Sequence, residues 1–271
     1  MATSKPGLST PTTRHTFTTT IQPPPGPNTP LTLPTSTNHT PTQNPPTFND
    51  AMHVRTRVFI DEQHCSPEGE IDSDDPRSWQ WVIYDSAPAP APAPASEITT
   101  HTSSPVSNGH PVAVIRLVPP PHAPHALLTH PTSSSSSTTT TTLPPYYDWT
   151  HEPYIKLTRV AVLPSHRGLG LGRRLVETAL TWAATHAGEI DSAAGRVARE
   201  CKLPLPLPLA VEGEGEVQGL VRPWRGLVLV HAQVDVERMY EGLGFVRDEG
   251  LGRWEEEGIM HVGMFKRVQV V

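Results

Sequence analysis

Apolar positions along this chain come in short bursts separated by long stretches that carry almost none. Phe48–Gln63 sets Met52, Val54, Val58 and Phe59 around Arg55 and Arg57, a spacing compatible with an amphipathic helix. Trp79–Asp85 (WQWVIYD) and Val112–Val118 (VAVIRLV) are rich in aromatic and β-branched side chains and predict strands. Tyr154–Leu163 (YIKLTRVAVL) predicts a longer one. From Leu171 to Ala187, Leu175, Ala179, Trp182 and Ala183 recur on one helical face, with Gly188 as the stop. Leu227–His231 predicts a short buried strand, Val234–Glu241 a short helix stopped by Gly242, and Ile259–Phe265 a closing strand. The order is helix, three strands, helix, strand, helix, strand. It predicts an α/β fold (α+β in its segregation), a mixed sheet flanked by helices.

Between these elements the composition changes character. Residues 1–46 are dominated by Thr, Pro and Ser, and APAPAPAPA, SSSSSTTTTT, LPLPLPL and EGEGE mark three internal tracts. Such segments hold too little apolar surface to offset about 1–2 kcal/mol of backbone entropy per ordered residue. The expected organisation is a low-complexity tail over 1–46, then one domain over 47–268. That domain carries insertions near 86–110, 119–145 and 188–223. One exception is weighed: Thr16–Gln22 (TFTTTIQ) has a strand-like composition that suits a sheet edge. About 140–150 residues then remain to fold, a normal single-domain size.

Composition narrows the function classes. The chain has 271 residues and is 36% hydrophobic, with 32 Pro and two Cys. No run of about 18 apolar residues suits a transmembrane helix. The start MATSKPGLST lacks the apolar core of a secretory signal, and Lys5 and Arg14 are too few for a convincing transit peptide. Two cysteines cannot build a disulfide framework or a zinc site, which favours a reducing compartment, cytoplasmic with the nucleus as the alternative. The formal charge is −6, and Asp61–Asp75 holds Asp61, Glu62, Glu68, Glu70, Asp72, Asp74 and Asp75 with no Lys or Arg. No basic stripe tracks phosphates, so nucleic acid is not an expected partner, and neither is a membrane.

The most informative stretch is Lys156–Leu175, KLTRVAVLPSHRGLGLGRRL. The predicted strand ends at Pro164, and Arg167-Gly168-Leu169-Gly170-Leu171-Gly172 leads straight into the helix. Glycines admit positive φ and close approach of a ligand, and amide N–H groups at a helix start converge where the dipole favours an anion. Arg167 and Arg173 add charge beside them. The pattern reads as a pyrophosphate cradle. A bare helix-capping turn is the plain alternative. A dinucleotide fingerprint would need G-x-G-x-x-G and a strand after the helix, and a P-loop would need Gly-Lys-Ser/Thr.

With these residues in view, the chain resembles the GCN5-related N-acetyltransferase (GNAT) superfamily. The motif Gln/Arg-x-x-Gly-x-Gly/Ala is matched by Arg167, Gly170 and Gly172. Gln233–Phe245, QVDVERMYEGLGF, is similar to the family's strand–helix segment ending in Tyr-x-x-x-Gly-Phe, with Tyr240, Gly244 and Phe245. Val54–Asp75, YIKLTRVAV and GIMHVGM are similar to the ElaA-type branch and to fungal glucosamine-phosphate acetyltransferase-like proteins. The resemblance implies the acyl-CoA N-acyltransferase fold, with a mostly antiparallel, splayed sheet. It implies acetyl-CoA as co-substrate, no metal, a small-molecule primary amine as acceptor and a homodimer through the C-terminal strand. The pantetheine arm would lie along Val160, Ala161 and Val162. The diphosphate would rest on Gly168, Leu169, Gly170, Leu171, Gly172 and Arg173 with Arg167 beside it, and Gln233 would border the same site.

Transfer also needs an acid for the leaving thiolate and a base for the amine. Tyr240 is the candidate acid, against a reading as a core aromatic beside Leu243. Glu62 is the candidate base, against a solvated acidic loop. His261 is a second candidate base, against a reading as an inward histidine with a satisfied hydrogen bond, and Thr158 and Arg159 would line the acetyl end. Arg55, Arg57 and Arg116 would suit a phosphate on the acceptor, or simply structure. His122, His125 and His130 are expected in solvent, and Cys65 is a weak candidate nucleophile. Asp72, Asp74 and Asp75 lack the glycine and the terminal glutamate of a calcium loop. Two rivals to acetyl transfer stand: an acyltransferase for longer chains, and a non-catalytic acyl-CoA-binding protein.

Overall fold

A computed structural model describes residues 15–86, 109–125, 147–201 and 222–271. The greater part of the three expected insertions, and His130, lie outside these residues. Eight strands form one sheet in the order β1-β2-β3-β4-β5-β8-β6, with β7 also on β8. They are β1 Phe17–Gln22, β2 Trp79–Asp85, β3 His110–Val118, β4 Tyr154–Val162, β5 Leu227–Gln233, β6 Val246–Arg247, β7 Arg253–Glu256 and β8 Ile259–Arg267. Only β4 and β5 run parallel; every other pair is antiparallel.

The alternation along each strand sorts the core into two layers. Trp81, Ile83, Ile115, Leu117, Ile155, Leu157, Val228 and Val230 face helix α2 (Leu171–Thr185), which inserts Leu175, Val176 and Ala179. On the other face Val82, Tyr84, Val114 and Ala161 meet Ala51, Val54 and Val58, from α1 (Pro46–Arg55) and the π-helical segment Thr56–Glu62 that continues it. The predicted helix Phe48–Gln63 is therefore one continuous helical run that loosens in its second half. The predicted strands are all present. The small predicted helix splits into a 3-10 turn, Val234–Val236, and α4 (Glu237–Glu241), while β6 and β7 carried too few residues for their pattern to register.

Two boundaries differ from the expectation. The tail read over 1–46 contains a strand, and β1 pairs with β2 from Phe17↔Asp85 to Gln22↔Gln80, which realises the edge-strand exception. The insertion read over 188–223 begins instead with α3 (Ala187–Glu200), and Gly188 sits inside its first turn rather than stopping α2. The chain breaks at His186, whose ring stacks on Trp182 at 4.4 Å. Ile190, Ala193, Ala194, Val197 and Ala198 are buried at helical spacing, a periodicity that the neighbouring low-complexity runs obscured.

The acidic run folds over two buried arginines. Arg55 contacts Glu70 Oε1 at 2.6 Å and Asp75 Oδ1 at 2.7 Å, while Arg116 meets Asp72 through both Nη atoms at 2.7 and 2.8 Å. Both arginines are thereby structural, and the acids opposite them are not a solvated loop. His122 is also buried, contrary to the expectation of exposure: it contacts the Tyr154 carbonyl at 2.9 Å and stacks on that ring. Strand β8 lies between β5 and the β6/β7 strands, so its backbone edges are already used where a dimer through it would pair.

Candidate active site

The site is built around a fork between β4 and β5. Their parallel register runs from Tyr154↔Leu227 to Leu157↔Val230 and then stops. At that point β4 carries a bulge: Arg116 is opposite Thr158 and Val114 opposite Ala161, so Arg159 and Val160 together face Ile115, and Arg159 takes φ of +52°. A bulge bends and twists its strand. Beyond it, β4 is held by β3 and β5 by β8, each on its outer side. The edge of Thr158–Val162 that faces β5 is left without a strand partner. Such an edge offers its N–H and C=O groups to an extended ligand.

The glycine turn follows immediately. Gly168 and Gly170 both have φ of +77°, and a Cβ placed on either would meet no atom within 4 Å. They are glycines for their backbone conformation, with open space in front of them. Gly172 differs: its Cβ would lie 3.4 Å from Met239 Sδ, so it serves close packing of α2 against the segment before Tyr240. The first backbone amide after Arg167 with a hydrogen bond is that of Arg174, to the Gly170 carbonyl at 3.0 Å. The N–H groups of Gly168, Leu169, Gly170, Leu171, Gly172 and Arg173 thus have no partner among the described residues. Together with the start of α2 they form a cradle of donors for an anion.

Both arginines of the turn are engaged. Arg167 donates Nε–H to the Val162 carbonyl at 3.1 Å and meets Glu62 with both Nη atoms at 2.6 Å. That hydrogen bonding holds the Glu62 carboxyl below the usual range. Arg173 contacts Glu177 at 2.9 Å and the Gly242 carbonyl at 3.3 Å. Gln233, at the end of β5, exchanges side-chain contacts with Gln63, the residue after Glu62, at 3.1 Å. The end of the π-helical segment, Glu62 and the Gln63 that follows it, therefore reaches both arms of the fork, β4 through Arg167 and β5 through Gln233.

Tyr240 lies in the core layer on the α2 side, its ring T-shaped against Phe245 at 5.6 Å. No hydrogen bond to its hydroxyl occurs among the described residues, and burial pushes the phenol above its ordinary value. His261 is tied by Nδ1 to the Ile259 carbonyl at 2.8 Å. Thr158 Oγ1 accepts from Arg116 Nε at 2.9 Å, and Arg159 donates to the Gly69 carbonyl at 3.1 Å. Burial, then Glu257 and Glu70, push the Cys65 thiol up, which removes it as a ready nucleophile.

One group was missed in the sequence. His231, the first residue of β5 past the fork, packs edge-on with His125 at 5.6 Å and Trp254 at 4.8 Å. Its Nε2 is buried without a partner, and burial, then the Lys156 charge, push its pKa well below the usual imidazole value. His125, expected in solvent, is part of this wall. A lone histidine inside the apolar run LVLVHAQ was the available signal.

The sequence profile described as Acetyltransferase (GNAT) family matches residues 59–197, which contain the fork's first arm and the cradle. Among solved structures, the chain is similar to an acyl-CoA N-acyltransferase from Pseudomonas aeruginosa, at 18% identity, over 93% of this chain and 99% of that one, with a TM-score of 0.45. It is also similar to ElaA from Escherichia coli, at 15% identity, over 94% and 100%, with a TM-score of 0.43.

Proposed function

The chain belongs to the acetyltransferase (GNAT) family, and from that membership we propose that it is an N-acetyltransferase, moving acetyl from acetyl-CoA to the primary amine of a small molecule. The observation that carries this reading is the run of unpartnered amides from Gly168 to Arg173, set beside a strand edge left open by the fork. The co-substrate supplies the activated thioester; this chain supplies binding, orientation and proton management.

In this reading the diphosphate accepts hydrogen bonds from the cradle amides, each worth about 1.5–3 kcal/mol when the acceptor is charged. The pantetheine amides lie along Val160–Val162 as an added strand, which brings the thioester to the bulge at Arg159. Holding both reactants there supplies much of the acceleration. Tyr240 keeps its proton at neutral pH and donates it to the departing thiolate sulfur. Glu62 accepts the amine proton, directly or through water. While Arg167 holds it, that carboxylate is a weaker base. A diphosphate arriving on the cradle competes for Arg167 and raises the basicity of Glu62 at the step where a base is needed.

The acceptor end offers few uncommitted cations. Arg55 and Arg116 are consumed by Glu70, Asp72 and Asp75, Arg159 also faces Glu70 and Asp72 at 3.3 and 3.4 Å, and Arg57 pairs with Asp61 at 3.2 Å, so a phosphorylated amino sugar would have to compete with a carboxylate for Arg57 or Arg159. The test is release of free CoA across amino sugars, polyamines and amino acids, with acetyl- and octanoyl-CoA in parallel. Turnover with acetyl-CoA supports the reading. A strong octanoyl preference replaces it with a longer-chain acyltransferase, and CoA binding without accelerated release for any amine replaces it with a carrier.

A further inference from the structure

Three side chains far apart in sequence meet beside the cradle. His15 stands just before β1, Asp85 ends β2, and His166 directly precedes Arg167. Asp85 Oδ2 lies 2.5 Å from His15 Nδ1 and 3.1 Å from His166 Nε2, across separations of 70 and 81 residues. All three donor atoms fall within 4.8 Å of one another. We propose that His15, Asp85 and His166 form a binding site for a divalent d-block cation of the zinc type.

The chemistry of the donors argues for it. Two imidazole nitrogens and one carboxylate oxygen are ligands such ions favour, with water completing the shell. Both nitrogens converge on the same carboxylate oxygen, so small side-chain rotations bring all three groups around a single point. Bonds of about 2.0–2.2 Å to a tetrahedral ion set neighbouring ligand atoms roughly 3.3 Å apart. The His166–Asp85 spacing already matches, the His15 contact must open by less than an ångström, and the two imidazole nitrogens, within 4.8 Å of each other, must take up the same spacing.

Neighbouring groups orient the ligands. His166 Nδ1 lies 2.8 Å from Ser165 Oγ. The tautomer that donates Nδ1–H to Ser165 leaves the Nε2 lone pair facing Asp85, which is the form a metal requires and the usual outer-sphere arrangement for a ligating histidine. The His15 ring is held flat against Phe17, with centroids 5.5 Å apart and planes within 5°. Asp85 and His166 are largely buried, at 6% and 16% side-chain exposure, whereas His15 at 29% opens on solvent, so water has an entry to the remaining positions. An ion here ties the edge strand to the end of β2 and to the residue ahead of Arg167. No short sequence motif announces the site, because each ligand comes from a different element.

The test uses the full chain without a histidine tag, stripped with a chelator. It is titrated with Zn²⁺ against a chromophoric chelator and with Co²⁺ by visible d–d absorption. The expected result is one equivalent binding below micromolar. His15→Ala and His166→Ala each weaken it by more than about tenfold, the least seen even when an outer-sphere partner is disturbed. His151→Ala, at an exposed imidazole beside Asp148, leaves it unchanged. No equivalent at micromolar or tighter in the unmodified chain overturns the proposal without reference to any variant. So does an equivalent that survives either ligand substitution.

Discussion

Glu62 and Arg167, 105 residues apart, meet through two parallel contacts of 2.6 Å. The pair joins the end of the first helical run to the start of the glycine turn, and under the proposed function it sets two roles against each other: the guanidinium suited to a diphosphate and the carboxylate suited to an amine proton. Replacing Glu62 by Gln removes the competitor for Arg167. We expect tighter CoA binding, by several-fold in titration calorimetry, together with a fall in kcat of about 10²–10⁴-fold if the carboxylate takes the proton. Weaker CoA binding in Glu62→Gln would show that the pair supports the cradle instead. The Glu62 carboxyl is held below its ordinary value by Arg167, so the pair is complete above that value and is lost as pH falls through the lowered one.

Gly170 separates backbone demand from ligand demand. Its φ of +77° costs a substituted L-residue about 1–2 kcal/mol, although the space beyond its Cα is open. Gly170→Ala is expected to lower thermal stability slightly. Gly170→Glu adds a negative charge to the concavity and is expected to weaken CoA affinity by at least about 100-fold beyond the Ala variant, given roughly 1.5–3 kcal/mol per charge-assisted bond. Equal CoA affinities for the two variants, by calorimetry, would remove the cradle from the site.

Tyr240→Phe probes the proposed acid with little structural disturbance, because the hydroxyl has no hydrogen-bond partner among the described residues. Stability is expected to change by less than about 1 kcal/mol. Turnover is expected to fall by about 10²-fold or more, with CoA affinity retained. An unchanged kcat would return Tyr240 to a packing role in the cluster with Leu243 and Phe245.

The buried ionic layer predicts an acid limb. Burial alone would raise Asp75, but Arg116 and Arg55, at 3.0 and 2.7 Å, outweigh it and hold its carboxyl far below the usual range. A depressed carboxyl contributes stability that is complete above its unfolded value, near pH 4, and is lost progressively as pH falls below it. Denaturant titrations between pH 7 and pH 2 are expected to show a plateau, then a decline beginning near pH 4. Asp75→Asn leaves two buried guanidinium groups short of a partner and is expected to cost about 3–5 kcal/mol at neutral pH.

Helix α3 gives a packing prediction. Ile190 is fully buried against the α2 layer, and Ile190→Ala is expected to cost about 2–5 kcal/mol. A loss below about 0.5 kcal/mol in chemical denaturation would mean that α3 is not part of the core.

The elements that form the candidate site were legible because each is a local pattern. WQWVIYD, VAVIRLV and YIKLTRVAVL alternate or run apolar over enough residues to specify strands, and R-G-L-G-L-G followed by an apolar periodicity specifies a turn into a helix. Helix α3 has an equally regular pattern, but it adjoins LPLPLPL and EGEGE, and composition averaged over the tract hid it. β1 was visible only as a composition because an edge strand has little to bury. The roles of Arg55 and Arg116 were not legible at all. A cation between apolar residues looks the same whether it awaits a phosphate or already faces Glu70, Asp72 and Asp75.

By itself the sequence determined the five longer strands, the glycine turn into α2 and the family they belong to, since those rest on patterns within a few residues of one another. The tertiary structure alone decided that β4 and β5 part after Leu157 and Val230, that Glu62 reaches Arg167, and that His15, Asp85 and His166 converge. Each of these depends on sheet register and on strand ends meeting across the fold. Such relations link positions whose separation along the chain carries no information about their distance in space.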